Sequence, residues 1–113
     1  TFLSGPGFTY IFNNTNNCNY RTEEIIELSI NNDPRAIKAL NDYVDRLARA
    51  LSSIINILDP DIIVLGGGMS NINYIYENID KKMLKYVFGE DIKTKVVKNK
   101  HGDSSGVRGA AWL

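Results

Sequence analysis

Two short stretches of the 113-residue chain hold residue types whose spacing could do chemistry. The first is Ile63-Val64-Leu65-Gly66-Gly67-Gly68-Met69-Ser70-Asn71. An apolar run, three glycines and a helix start together form a place where a ligand can approach. Glycine lets the backbone come close, and the first turn of the following helix exposes free N–H groups. In open α/β sheets, ligands bind outside the carboxyl ends of the strands. Gly66, Gly67 and Gly68 are therefore candidate binding residues. The dinucleotide fingerprint is not met, because its third glycine falls on Asn71. A phosphate loop of the Gly-Lys-Ser/Thr type is absent too. The competing reading is a tight turn that needs glycine only for its geometry.

The second stretch is His101-Gly102-Asp103-Ser104-Ser105-Gly106. It matches the Gly-x-Ser-x-Gly nucleophile elbow formally. The chemistry fails on the partner: His101 is the chain's single histidine, and it precedes Ser104 by three residues, where a hydrolase base follows much later. No acid is placed to orient it. Asp103 or Ser104 as a helix cap is the better reading. His101 has no cysteine or second histidine nearby to complete a metal site. Asp59 and Asp61 flank Pro60 and read as the end of a helix and the start of a strand rather than as a catalytic pair. Cys18 lies in a polar stretch and reads as incidental. The sequon Asn13-Asn14-Thr15 reads as chance within five Asn over positions 13–19. No catalytic and no metal-binding residue is assigned.

The elements that would hold these stretches follow from pattern. Residues 1–12 read as a glycine-broken turn and helix, and 13–19 as an exposed loop. Thr22 caps a helix whose buried side is Ile25, Ile26 and Ile30, with Glu23 and Glu24 at its positive start and Asn31-Asn32 at its end. Asp33-Pro34 opens the longest helix. Ile37, Leu40, Val44, Leu47, Leu51, Ile54 and Leu58 form its stripe, widened by Tyr43, Ala48 and Ile55. Asp59-Pro60 ends it. Asp61–Leu65 is a buried parallel strand. A helix spans about Asn71–Val87, with Gly89 as its stop. Lys95–Lys98 is a second strand, and Ser104–Leu113 a last helix packed through Gly106, Gly109 and Ala110.

The central unit is strand–helix–strand, a parallel pair. Two parallel strands alone do not make a domain, so the missing strands are expected from elsewhere. The chain also opens Thr1-Phe2-Leu3 without an initiator methionine. Both point to the C-terminal part of a larger α/β protein. Thirteen basic and 13 acidic residues leave no net charge. That removes the electrostatic case for nucleic-acid or membrane-surface binding. One cysteine excludes an internal disulfide framework. No apolar run is long enough to span a bilayer, and no signal peptide opens the chain.

Asp59-Pro60-Asp61-Ile62-Ile63-Val64-Leu65-Gly66-Gly67-Gly68-Met69-Ser70 resembles the C-terminal adenosine loop of ROK-family sugar kinases. His101–Leu113 resembles the end of the same family, and Thr1–Phe8, with Ser4-Gly5-Pro6-Gly7, is similar to the stretch just after its zinc motif. The likeness covers the whole chain, with bacterial fructokinases first and N-acetylglucosamine kinases next. It implies an α/β fold, part of the large C-terminal lobe of an actin-like, hexokinase-type (ribonuclease H-like) ATPase. Residues 1–113 would be the nucleotide-side segment of that lobe, a single incomplete domain.

The implied reaction is ATP-dependent phosphorylation of a sugar, fructose or a related hexose, with Mg2+ on the phosphates. Gly66, Gly67, Gly68 and Met69 would be the cofactor-binding residues, Met69 as an apolar neighbour of the base. Ser4 and Gly5 would face the same cleft. The general base, the phosphate loop, the sugar-binding glutamates and the ligands of a structural Zn2+ would lie before Thr1, so this segment alone would be inactive. A cytoplasmic homodimer acting on sugar and ATP, without nucleic-acid or membrane partners, completes the expectation. The alternative within the family is the sugar-sensing lobe of a transcriptional repressor. From outside it, the alternative is a self-standing domain that uses the glycines only as a turn.

Overall fold

The computed structural model describes residues 3–87, 92–99 and 109–113, the last group without the side chains of 109–112. Helix α1 (Gly5–Asn16) starts where Ser4 Oγ accepts a hydrogen bond from the Gly7 N–H at 3.1 Å, with Pro6 in the first turn. It runs further than the sequence pattern suggests, through Asn13, Asn14 and Asn16. Burial of Phe8 and Phe12, one turn apart, carries the helix into the Asn-rich stretch. The asparagines then serve local backbone. Asn16 donates to the Phe12 carbonyl at 2.9 Å, and Asn13 donates to the Tyr20 carbonyl at 2.8 Å while accepting from the Tyr20 N–H at 2.9 Å. Cys18 Sγ lies 3.3 Å from the same Asn13 oxygen. Asn17, in the left-handed region at φ 53°, stops the helix.

Helix α2 (Thr22–Ile30) is capped by Arg21 rather than by Thr22: the Arg21 N–H donates to Glu24 Oε1 at 2.9 Å. The Thr22 hydroxyl instead bonds the Thr9 hydroxyl and ties α2 to α1. Ile25 is buried, but Ile30 is 73% exposed, so the buried side is narrower than expected.

Helix α3 (Pro34–Leu58) begins as its sequence predicts, with the Asp33 carboxylate accepting from the Arg35 N–H at 2.9 Å. Its stripe rotates along the length. Leu40, Val44, Leu47 and Leu51 are buried, but the line then passes to Ser52 and Ile55, and Leu58 is 68% exposed. A strict 3.5-residue repeat drifts about 20° per heptad against an α-helix, which moves Leu58 off the face.

Strand β1 (Ile62–Gly66) and helix α4 (Asn73–Met83) are joined by a 3-10 turn, Gly68–Asn71. The helix is therefore shorter than its apolar pattern at both ends. Ile75, Ile79 and Met83 are buried on it. Strand β2 (Lys95–Lys98) has the predicted bounds. Residues 89 and 101–108 lie outside the described set, and with them the proposed stop at Gly89, His101, and the caps Asp103 and Ser104.

The last segment corrects the sequence reading. Gly109–Trp112 is a strand, β3, not helix. Ala favours helix locally, but propensity is a weak prior against tertiary pairing. The second edge of β1 carries N–H and C=O groups that need partners, and β3 supplies them. Among the described residues the sheet is three-stranded and parallel, in the order β2-β1-β3, with Ile63 opposite Val96 on one side and Gly109 on the other. The third strand thus comes from this chain and not from elsewhere. Ile63 and Leu65 are buried on one face of β1, and Ile62 and Val64 are half-buried on the other. No helix among the described residues is long and apolar enough to cross a membrane.

Candidate functional site

The three glycines at the carboxyl end of β1 have three different environments. Gly66 is buried, and its carbonyl accepts from the Leu113 N–H at 2.7 Å. Gly67 takes φ +90°, where a side chain is strained, and a Cβ there would stand 2.1 Å from the Leu113 carbonyl oxygen. Geometry alone demands glycine at that position. Gly68 is different: it is exposed, and a Cβ would meet nothing within 4 Å. Its lack of a side chain leaves open space.

The turn is held from below. The Ser70 N–H and hydroxyl both donate to the Gly67 carbonyl, at 3.2 and 2.6 Å. The Tyr76 hydroxyl on α4 donates to the Ser70 carbonyl. Burial raises the Tyr76 pKa from its ordinary value. Met69 is 1% exposed, and its Cγ lies 3.9 Å from where a Cβ on Gly5 would be. The start of α1 and the glycine turn therefore meet through the Met69 side chain. The Tyr43 hydroxyl secures the residues before α1 by donating to the Leu3 carbonyl at 2.8 Å.

Gly68 opens onto a cleft of about 680 Å³ between α2, the start of α3 and the start of α4. Thr22, Glu23 and Ile26 form one wall, and Asn71, Ile72, Asn73, Tyr74 and Glu77 the other. Of the residues expected at the site, Gly68 lines this cleft. Gly66, Gly67 and Met69 shape and support the turn behind it, and Gly5 faces Met69 and is not part of the cleft lining. The sequence reading missed both walls. On α4 a signal existed: Asn73, Tyr74 and Glu77 fall on one helical face directly after the glycines. For Thr22 and Glu23, far back in the chain, no local pattern pointed there.

Asp59 is the left-handed close of α3, at φ 45°, and the Asp61 carbonyl accepts from the Lys95 N–H at 2.9 Å. Among the described residues no group of three or more His, Cys, Asp or Glu could hold a metal ion.

Comparison with known proteins gives this geometry a context. The model of the ROK family matches residues 1–113. An N-acetyl-D-glucosamine kinase of Photobacterium profundum is 38% identical over 112 residues, 99% of this chain and 37% of that protein. The enzyme of that name from Mannheimia succiniciproducens is 39% identical over 113 residues, again 37% of its length. The chain thus spans little more than a third of the curated relatives it matches. A crystal structure of a ROK hexokinase from Thermus thermophilus superposes with a TM-score of 0.77 at 21% identity, over 94% of this chain and 36% of that one. That likeness shows the fold: α/β, part of the larger lobe of an actin-like, hexokinase-type ATPase.

Proposed function

The chain belongs to the ROK family, and from that membership we propose that the intact protein transfers a phosphoryl group from ATP to a sugar hydroxyl. Residues 1–113 form the nucleotide side of one lobe in this reading, a single domain completed by the rest of the protein. The observation that carries it is the cleft at the carboxyl end of β1, entered past Gly68. Gly68 gives the nucleoside a wall without a side chain. Gly66 and Gly67 set the path of the turn, and Met69 supports it from the core side. ATP, with Mg2+ on its phosphates, is the cofactor implied. The residues that touch the reacting atoms belong to the remainder of the protein.

The matched relatives named above are N-acetyl-D-glucosamine kinases. That supports N-acetylglucosamine as the first sugar to test, ahead of fructose. The experiment is sugar-dependent release of ADP by the intact protein, with N-acetylglucosamine and fructose compared. Release with either sugar supports a kinase, and the ratio of kcat/KM assigns the sugar. Absence of release with a panel of hexoses, together with sugar binding, would identify a sensing lobe instead.

A further inference from the structure

The cleft beside Gly68 carries a charge pattern that decides which part of a ligand it takes. Its broad surfaces are apolar, from Ile26 and Ile30 on one side to Ile72 and Tyr74 on the other. Among the described residues its charged lining is two carboxylates, Glu23 on α2 and Glu77 on α4, with no Lys or Arg. Neither carboxylate has an ion-pair partner among the described residues. A phosphate placed here would meet two like charges and, among the described residues, no cation. A nucleoside suits the site: a planar ring for the apolar walls and hydroxyl donors for carboxylates, which only accept.

Resting on the nucleotide reading above, we infer that Glu77 is a specificity-determining residue whose carboxylate accepts hydrogen bonds from the ribose hydroxyls. With Glu23 it turns phosphates away, so that the triphosphate leaves past the glycine turn. Position favours Glu77 for the ribose. It stands on the same helical face as Asn73 and Tyr74, one turn further along α4. The helix begins two residues after the 3-10 turn that contains Gly68, so this face and the open glycine are held in register.

The test uses the intact protein and compares KM for ATP, 2′-deoxy-ATP and 3′-deoxy-ATP at saturating sugar. Glu77 is an exposed helical position, so Glu77→Ala keeps the helix. The wild type is expected to need about tenfold more of a deoxynucleotide than of ATP. In Glu77→Ala the KM for ATP rises by that factor and the KM for the deoxynucleotide stays put, so the difference closes. A wild type that treats all three alike overturns the inference, as does a difference that survives in Glu77→Ala. Gly68→Val separates this from failure of the parent reading. If Gly68→Val leaves the KM for ATP unchanged, the cleft is not the nucleotide site and both readings fall. If Gly68→Val raises it while Glu77→Ala preserves the ribose discrimination, only the role of Glu77 falls.

Discussion

A side chain on Gly67 and the backbone carbonyl of Leu113 cannot occupy the space between them, since a Cβ would lie 2.1 Å from that oxygen. The neighbouring Gly68 has nothing within 4 Å of the same atom. Of two adjacent glycines, therefore, one is demanded by sterics and the other is not. Gly67→Ala must strain a left-handed backbone and push Leu113 off the Gly66 carbonyl, at a cost of about 2 kcal/mol or more. Gly68→Ala should leave stability within about 0.5 kcal/mol of wild type. Urea unfolding of the two variants of the intact protein, side by side, checks this. Equal midpoints would mean that the contact between the glycine turn and the last strand does not persist in solution.

The starts of α2 and α3 are predicted to respond to acid. The Arg35 side chain, by hydrogen bonding, holds Asp33 below its ordinary value of 3.8, and Glu24 is lowered from 4.5 chiefly by the Arg21 backbone N–H. Both folded-state values are depressed. Their stabilisation is therefore complete above the unfolded values and is lost as pH falls through the folded ones. Below about pH 4.5 the unfolding midpoint of wild type should fall more steeply than that of Asp33→Asn, which no longer titrates there. Thermal unfolding between pH 6 and pH 2.5 gives the comparison. Parallel curves would remove Asp33 from the acid transition.

Two core substitutions on α3 should differ in size. Leu47 is fully buried, and Leu47→Ala leaves a cavity that costs about 2–5 kcal/mol. Tyr43 packs edge-on against Phe8 with centroids 5.7 Å apart, and Tyr43→Phe keeps that contact. It loses the bond to the Leu3 carbonyl, worth about 1 kcal/mol. Its effect should concentrate at the start of α1. Faster hydrogen exchange at residues 7–9 in Tyr43→Phe, with the middle of α3 unchanged, is the expected pattern.

What was legible in the sequence was local. Asp33-Pro34 announced the start of α3, and Lys95–Lys98 read as a strand with correct bounds, because caps and β-branched runs act over a few residues. Gly109–Trp112 was misread because its conformation is decided by the open edge of β1, far away in the chain. The end of α1 was misread for a related reason. Asn13 is loop-like by type, but here its amide bonds Tyr20 from within a helix anchored by Phe12. At the site, the glycine run was visible and its division of labour was not, since that depends on Leu113 lying over Gly67. The facing wall on α2 left no local trace.

The same division of labour makes the Tyr76 hydroxyl a lever on the turn. It donates to the Ser70 carbonyl, and Ser70 in turn donates twice to the Gly67 carbonyl, so one hydroxyl on α4 steadies the whole path from Gly67 to Asn71. Tyr76→Phe keeps the ring and removes that donor. Stability should drop by about 1 kcal/mol. Because Gly68 sits inside the loosened segment, the KM for ATP should rise about threefold to tenfold while the KM for sugar holds. Ser70→Ala, which removes one of the two bonds to Gly67, should move the KM for ATP in the same direction. A pair of variants that lose stability without changing the KM for ATP would show that the turn is a structural corner and that the nucleotide is held elsewhere.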